Sequence, residues 1–305
     1  MKLHKIIFTL ILLSTPILFY AQAESIFNGV QLNESLEVVT KKLSEISKTI
    51  DTISIDSPSF PLAKLKEEHI VCSEVKTDNG MIGKVVFTFA DNSLKYIEAQ
   101  GNVREVFLSK RVDTARVYLD YDIYASERLI LKRTKDAAWI LTEEGMHTNL
   151  FTWENPHLNS NYKDTSKPND SNQIPAFLKM GASIDELKPE LEANSDFTNT
   201  QKLDGSDPNA QIQINCFGID YLGFPRKIEA RFGDNRLNVV WILTGKGEED
   251  RVREALIKQY GSPIFTNEDW EIYNNWQVGL RKDKPEVLLM EKTLGLEYKS
   301  SYFKQ

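Results

Sequence analysis

Metal coordination needs several clustered ligands at helix- or turn-compatible spacing. Beyond residue 23 the histidines are His69, His147 and His157, with no His-x-x-x-His pair among them. Each is expected to be structural or at the surface, and no metal site is expected. An elbow-type hydrolase would show Gly-x-Ser-x-Gly, which does not occur. Ser160-Asn161-Tyr162-Lys163 and Ser301-Tyr302-Phe303-Lys304 match Ser-x-x-Lys but lack the companion motifs of an acyltransferase. Thr244-Gly245-Lys246-Gly247 stands between a strand and a helix, where phosphate loops sit. Its upstream glycine is missing, so a simple turn is expected. Asp204-Gly205-Ser206-Asp207-Pro208-Asn209 offers oxygens to calcium without the spaced ligands or closing glutamate of a calcium loop, and reads as a plain loop. With 44 acidic residues, accidental carboxylate pairs come easily, so acid–base chemistry stays open. No catalytic residue and no cofactor is assigned.

What remains is aromatic: Tyr221, Trp241, Trp270, Tyr273 and Trp276 crowd the second half. Large aromatics at a surface anchor binding, and in a core they supply volume. Tyr273 alternates with the core-type Ile272, so it is expected to face outward, and Tyr124 holds the matching place beside Ile123. Tyr124, Tyr273, Trp270 and Trp276 are therefore the candidate binding residues. In Leu237–Leu243 both alternating faces are largely apolar, which reads as a strand buried on both sides. The two cysteines, Cys72 and Cys216, lie in strand-like runs, and Cys216 shares a face with Ile212 and Ile214. Two readings stay open for them: a pair of buried free thiols, or one bridge joining the two halves.

These residues sit on a chain of 305 residues with 41% hydrophobic and 27% charged composition, enough for one or two packed cores. Residues 1–23 read as a secretory signal peptide. Lys2 and Lys5 precede the apolar runs Ile6–Leu13 and Ile17–Tyr20, and Ala21-Gln22-Ala23 forms the small-x-small cleavage pattern. Ser14, Thr15 and Pro16 interrupt that run, which argues against an uncleaved anchor. No cysteine follows for lipid attachment, and no later run is long enough to span. A periplasmic or secreted protein with no transmembrane anchor after cleavage is expected. Without the leader the balance is 35 basic against 44 acidic residues. Nucleic acid, which needs a net basic face, is thereby excluded as a partner.

The chain repeats itself. Phe89-Ala90-Asp91-Asn92-Ser93-Leu94 recurs as Phe232-Gly233-Asp234-Asn235-Arg236-Leu237, and Asp120-Tyr121-Asp122-Ile123-Tyr124 as Asp269-Trp270-Glu271-Ile272-Tyr273. Leu131-Lys132-Arg133 matches Leu280-Arg281-Lys282 at an offset of 149, and the cysteines fall 144 residues apart, within the 143 to 149 over which the offset drifts. Asp91 and Asp234 at equivalent places favour turn chemistry over catalysis. Two units are expected, over residues 24–156 and 175–305, with a polar linker at 157–174. Leu36, Val39, Leu43 and Ile46 give the first helix its apolar face. Ser183-Ile184-Asp185-Glu186 is a capping box, and Pro189 is expected to shorten or kink the helix it opens. Glu248, Glu249 and Asp250 start a later helix that Gly261 and Pro263 stop, with a less regular counterpart over 103–113. Alternating strands fill the rest, and Phe89 is expected to superpose on Phe232 and Ile123 on Ile272. The fold class is α+β, helices packed on antiparallel sheet, in two tandem copies.

Met180-Gly181-Ala182-Ser183 opening a helix, and Tyr260-Gly261-Ser262-Pro263 followed by Trp270 in a strand, carry a resemblance. The layout resembles the α+β units of beta-lactamase inhibitory protein and of the small SmpA/BamE-type outer-membrane assembly lipoproteins. The resemblance covers the order of elements over most of the chain after the leader. The repeats here are about twice the usual unit, and the lipid-anchor cysteine is missing. It implies an architecture and an inhibitor-like or envelope-associated role. The leading expectation is an exported, non-catalytic protein-interaction protein whose partner is an envelope or extracellular protein. A lipid or small-ligand carrier is the alternative, and an enzyme of unrecognised type comes third.

Overall fold

Asp91-Asn92 and Asp234-Asn235 all adopt left-handed backbone, with φ of 51° and 63° in the first pair and 49° and 60° in the second. Asn and Asp tolerate that conformation, and two such residues in succession make the tight turn whose twist suits a hairpin. Around each turn the computed structural model builds the same unit. It describes residues 23–303 except 57, 110–113, 154, 159–172 and 285. The expected leader thus lies outside the described residues but for Ala23, which is buried.

Unit one runs α1 (Leu36–Leu43), β1 (Thr49–Ile55), β2 (Glu67–Thr77), β3 (Gly80–Ala90), β4 (Ser93–Gln100), α2 (Val103–Leu108), β5 (Arg116–Tyr118), β6 (Tyr121–Tyr124), β7 (Leu129–Lys132), β8 (Ala137–Leu141) and α3 (Glu143–His147). Unit two runs α4 (Ile184–Ala193), β9 (Phe197–Lys202), β10 (Ile212–Tyr221), β11 (Phe224–Gly233), β12 (Arg236–Leu243), α5 (Glu249–Tyr260), β13 (Phe265–Thr266), β14 (Trp270–Tyr273), β15 (Val278–Arg281), β16 (Glu286–Met290) and α6 (Lys292–Ser301). The strand orders are β1-β2-β3-β4-β8-β7-β6-β5 and β9-β10-β11-β12-β16-β15-β14-β13, antiparallel throughout. The fold is α+β with two tandem, like-ordered sheets.

Register carries the equivalence down to single residues. Phe89 stands opposite Leu94 with a bulge after Thr88, and Phe232 stands opposite Leu237 with a bulge after Arg231. Ile123 pairs with Arg116 and Ile130, and Ile272 pairs with Phe265 and Gly279 at the same separations. The chain entering each first helix also pairs alike: Asn33 and Glu34 bond Leu94, and Gly181 and Ala182 bond Leu237.

One face of each sheet packs under its first two helices. Leu43, Cys72, Phe87 and Val106 belong to the first of these cores, and Leu191, Cys216, Phe232 and Leu256 to the second. The opposite faces are covered too. On sheet one, Phe60, Tyr96, Trp139 and Phe151 form a core that also takes Phe224 from unit two. On sheet two, α6 and Phe303 close over Trp270, Ile272 and Met290. Pro189 neither shortens nor breaks α4, because it and Asp185, whose carbonyl it leaves unbonded, both face solvent. The capping box forms as expected, with Glu186 N donating to Ser183 Oγ at 3.3 Å and Ser183 N to Glu186 Oε2 at 2.9 Å. Among the described residues no helix is long and apolar enough to cross a membrane.

Candidate interaction loop

The candidate aromatics are not at the surface. Tyr124 is 8% exposed, Tyr273 0%, Trp270 5% and Trp276 8%. The alternation is right and its direction is reversed. Tyr124 and Tyr273 point into the helix-side cores, while Ile123 and Ile272 turn to the opposite layer. Because both faces of each sheet are covered, alternation sorts side chains between two cores instead of between core and water. Trp270 and Trp276 lie against Phe303, with ring centroids 5.3 and 5.9 Å away. Cys72 and Cys216 are free thiols, each in its own unit's core, which overturns the bridged reading. Burial pushes the Cys72 thiol up to about 11 and the Cys216 thiol up to about 12.

The motifs set aside as turns have structural employment. In the 244–247 turn, Glu248 takes the Gly245 amide and Glu249 takes the Gly247 amide at 2.7 Å, so carboxylates occupy donors that a phosphate would need. Glu248 is also gripped by Arg226 at 2.6 and 2.8 Å, a buried ion pair. In the 204–209 loop, Asp204 accepts from the amide and hydroxyl of Ser206 at 2.9 and 2.7 Å. Among the described residues no group of three or more His, Cys, Asp or Glu is placed to hold a metal.

The surface instead presents Leu65, at 79% exposure the most open large apolar side chain described. It sits on the loop between β1 and β2, and that loop is fixed from two sides. At its start, Ser59 N and Phe60 N both donate to Glu67 Oε2 at 2.8 Å, and Phe60 is buried between the rings of Tyr96 and Trp153 at 6.0 and 5.7 Å. At its end the Asp91 carboxylate accepts three successive amides, from Lys64, Leu65 and Lys66, at 2.9, 2.7 and 2.8 Å. Asp91 N returns a bond to Lys66 O at 2.9 Å. Burial alone would raise the Asp91 carboxyl, but the amides of Lys64, Lys66 and Leu65 outweigh it and hold the group below the usual carboxylate range. Leu62 and Ala63 anchor inward while Leu65 points out. Beside it a concavity of about 490 Å³ runs between the loop and Ser35–Glu37 at the start of α1.

A second concavity, of about 270 Å³, lies at the seam of the two units, where His147 of α3 faces Lys246, Asp283 and Lys284. His147 Nε2 stands 3.5 Å from Glu286 Oε1 and makes no hydrogen bond with the described residues. Burial, with Lys284 and Lys227 nearby, lowers the imidazole's proton affinity, and burial raises that of Glu286. This is a histidine and a carboxylate whose charged forms are both disfavoured, a different pairing from the two carboxylates that sequence counting left open.

Comparison with family models, curated proteins and solved structures finds no match for this chain.

Proposed function

We propose that this chain is an exported, non-catalytic protein-interaction protein that contacts its partner through the Leu65 loop. The observation that carries the reading is a largely exposed leucine on a loop whose backbone is tied down by Asp91 and Glu67. Leaving a leucine in water forgoes about 2 kcal/mol that burial would return, so a partner that covers it recovers that energy. A loop already ordered by charge-assisted bonds gives up little further entropy on binding. That combination suits an inhibitor-like contact with an envelope or extracellular protein, the role implied by the resemblance in element order.

The test uses wild-type protein and Leu65→Asp as paired baits against the envelope and secreted fractions. A saturable protein captured by wild type and lost with Leu65→Asp, at unchanged melting temperature, supports the reading. Equal capture by both baits overturns it. The seam concavity at His147 supports a second reading, a polar small-ligand carrier, which native mass spectrometry of gently purified protein checks by an added mass.

A further inference from the structure

The Leu65 loop rests on a buried polar network that ends in two histidines whose rings meet at a tilt of 59°. His69 is fully buried, with Nε2 2.7 Å from Glu67 Oε1 and Nδ1 2.9 Å from Thr88 Oγ1. Glu67 is the same carboxylate that holds the amides of Ser59 and Phe60. Across this network lies a strap, made of the short 3-10 turns Leu150–Thr152 and Pro156–Leu158 with Trp153 and Asn155 between them. Asn155 Nδ2 donates to Thr88 Oγ1 at 3.0 Å, and Asn155 N donates to Glu98 Oε2 at 2.7 Å. Tyr96 OH donates to Trp153 O at 2.9 Å, and Lys84 Nζ to Leu158 O at 3.2 Å. His157 lies over His69 with ring centroids 4.6 Å apart. A hydrogen-bonded chain thus runs from Asn155 through Thr88 and His69 to Glu67.

We propose that mild acidification releases this strap by charging His157 against His69 and Lys84, and that the Leu65 loop loosens with it because Trp153 leaves Phe60. The groups that face His157 are His69, Glu67 and Lys84, with Glu98 holding the neighbouring Asn155. Burial, then His69, then Lys84 disfavour its charged form, and Glu67 only partly offsets them. The docked strap therefore binds fewer protons than the released one just below the ordinary histidine range. Docking is at full strength above that range and weakens as pH falls through it. Glu67 does not trigger the change. Burial raises its carboxyl, but His69 and the amides of Phe60 and Ser59 outweigh that and keep it ionised below the usual range. The functional consequence, a contact surface rigid at neutral pH and mobile in mild acid, rests on the reading of Leu65 given above. The release of the strap does not.

Hydrogen exchange by mass spectrometry on the full chain, at about pH 7.5 and about pH 5.5 and corrected for intrinsic rates, tests the release. The expected result is an increase approaching tenfold in the opening of peptides covering 150–158 and 59–66, with β10–β12 unchanged, since one group loses at most a factor of about ten per pH unit and only about one unit of this range lies below the ordinary histidine value of about 6.5. His157→Gln, at a half-buried position, should hold both peptides protected at the two pH values. Equal protection of wild type at both pH values overturns the proposal, as does a His157→Gln variant that responds like wild type. Pull-down with Leu65→Asp at neutral pH tests the contact surface separately. Lost pH response with intact Leu65 dependence sinks the switch alone, and the converse sinks the contact surface alone.

Discussion

Tyr273 fills a space closed to solvent and donates its hydroxyl to Glu271 Oε2 at 2.8 Å, while Glu271 also takes Arg253 Nε at 2.8 and 2.9 Å. Removing the ring opens a cavity beside that ion pair, so Tyr273→Ala should cost about 3–5 kcal/mol. Tyr273→Phe loses one hydrogen bond to a charged acceptor and should cost about 1.5–3 kcal/mol. Urea denaturation measures both, and a Tyr273→Ala midpoint equal to wild type would put the residue back at the surface. Asp91 is different in kind. Its carboxylate organises three amides of a surface loop, so Asp91→Ala should raise hydrogen exchange across 64–66 while leaving both sheets protected. Because its folded-state proton affinity is lowered, the carboxylate's contribution is present above the ordinary carboxylate range and is lost only as pH falls below it.

Helix α6 docks through the smallest residue it has. A Cβ built at Gly295 would stand 2.2 Å from Trp276 O, a backbone atom that cannot swing aside. Gly295→Ala would improve helix propensity in isolation, yet it should destabilise the protein by about 1–3 kcal/mol, because α6 must lift off the layer formed by Trp270, Trp276 and Phe303. A melting temperature equal to or above wild type would show that α6 contributes little to that layer. Elements such as α4 and α5 were legible in the sequence because their signals are local: a capping box four residues long, acids in a first turn, Gly261 at an end. The hairpin turns were legible for the same reason. The Leu65 loop was not, since its order comes from a carboxylate some 26 residues away. Nor was the strap: the residues from His157 on are polar and read as linker, yet His157 and Leu158 are seated on unit one, while 159–172 lie outside the described residues. The exposure of the aromatics failed on a different point, because alternation tells which side chains share a face and not whether that face is covered.

The two units are copies in order and register, but they do not stand apart. Phe224, at the start of β11, inserts into the core behind sheet one, where its ring centroid lies 5.4 Å from Trp153. Leu62 reaches the other way, onto the 244–248 turn that Arg226 and Glu248 hold in place, and Arg251 donates to Pro61 O at 3.2 Å. An apolar anchor shared in this way ties the unfolding of one unit to that of the other, and the chain carries a built-in reporter for each. Cys72 sits in the helix-side core of unit one and Cys216 in that of unit two, both fully buried and both with thiols pushed far from the reactive thiolate. Neither should react with a thiol reagent until its own unit opens. In wild type the two cysteines should become labelled together, at one urea concentration. Phe224→Ala removes the ring from the shared core, at a cost of about 3–5 kcal/mol, without touching either thiol's surroundings. Labelling of Cys72 and Cys216 should then separate into two transitions, resolved by mass spectrometry of the two peptides. Coincident labelling in the variant would mean that the remaining contacts of the seam suffice to couple the units, and separate labelling already in wild type would mean that Phe224 never coupled them.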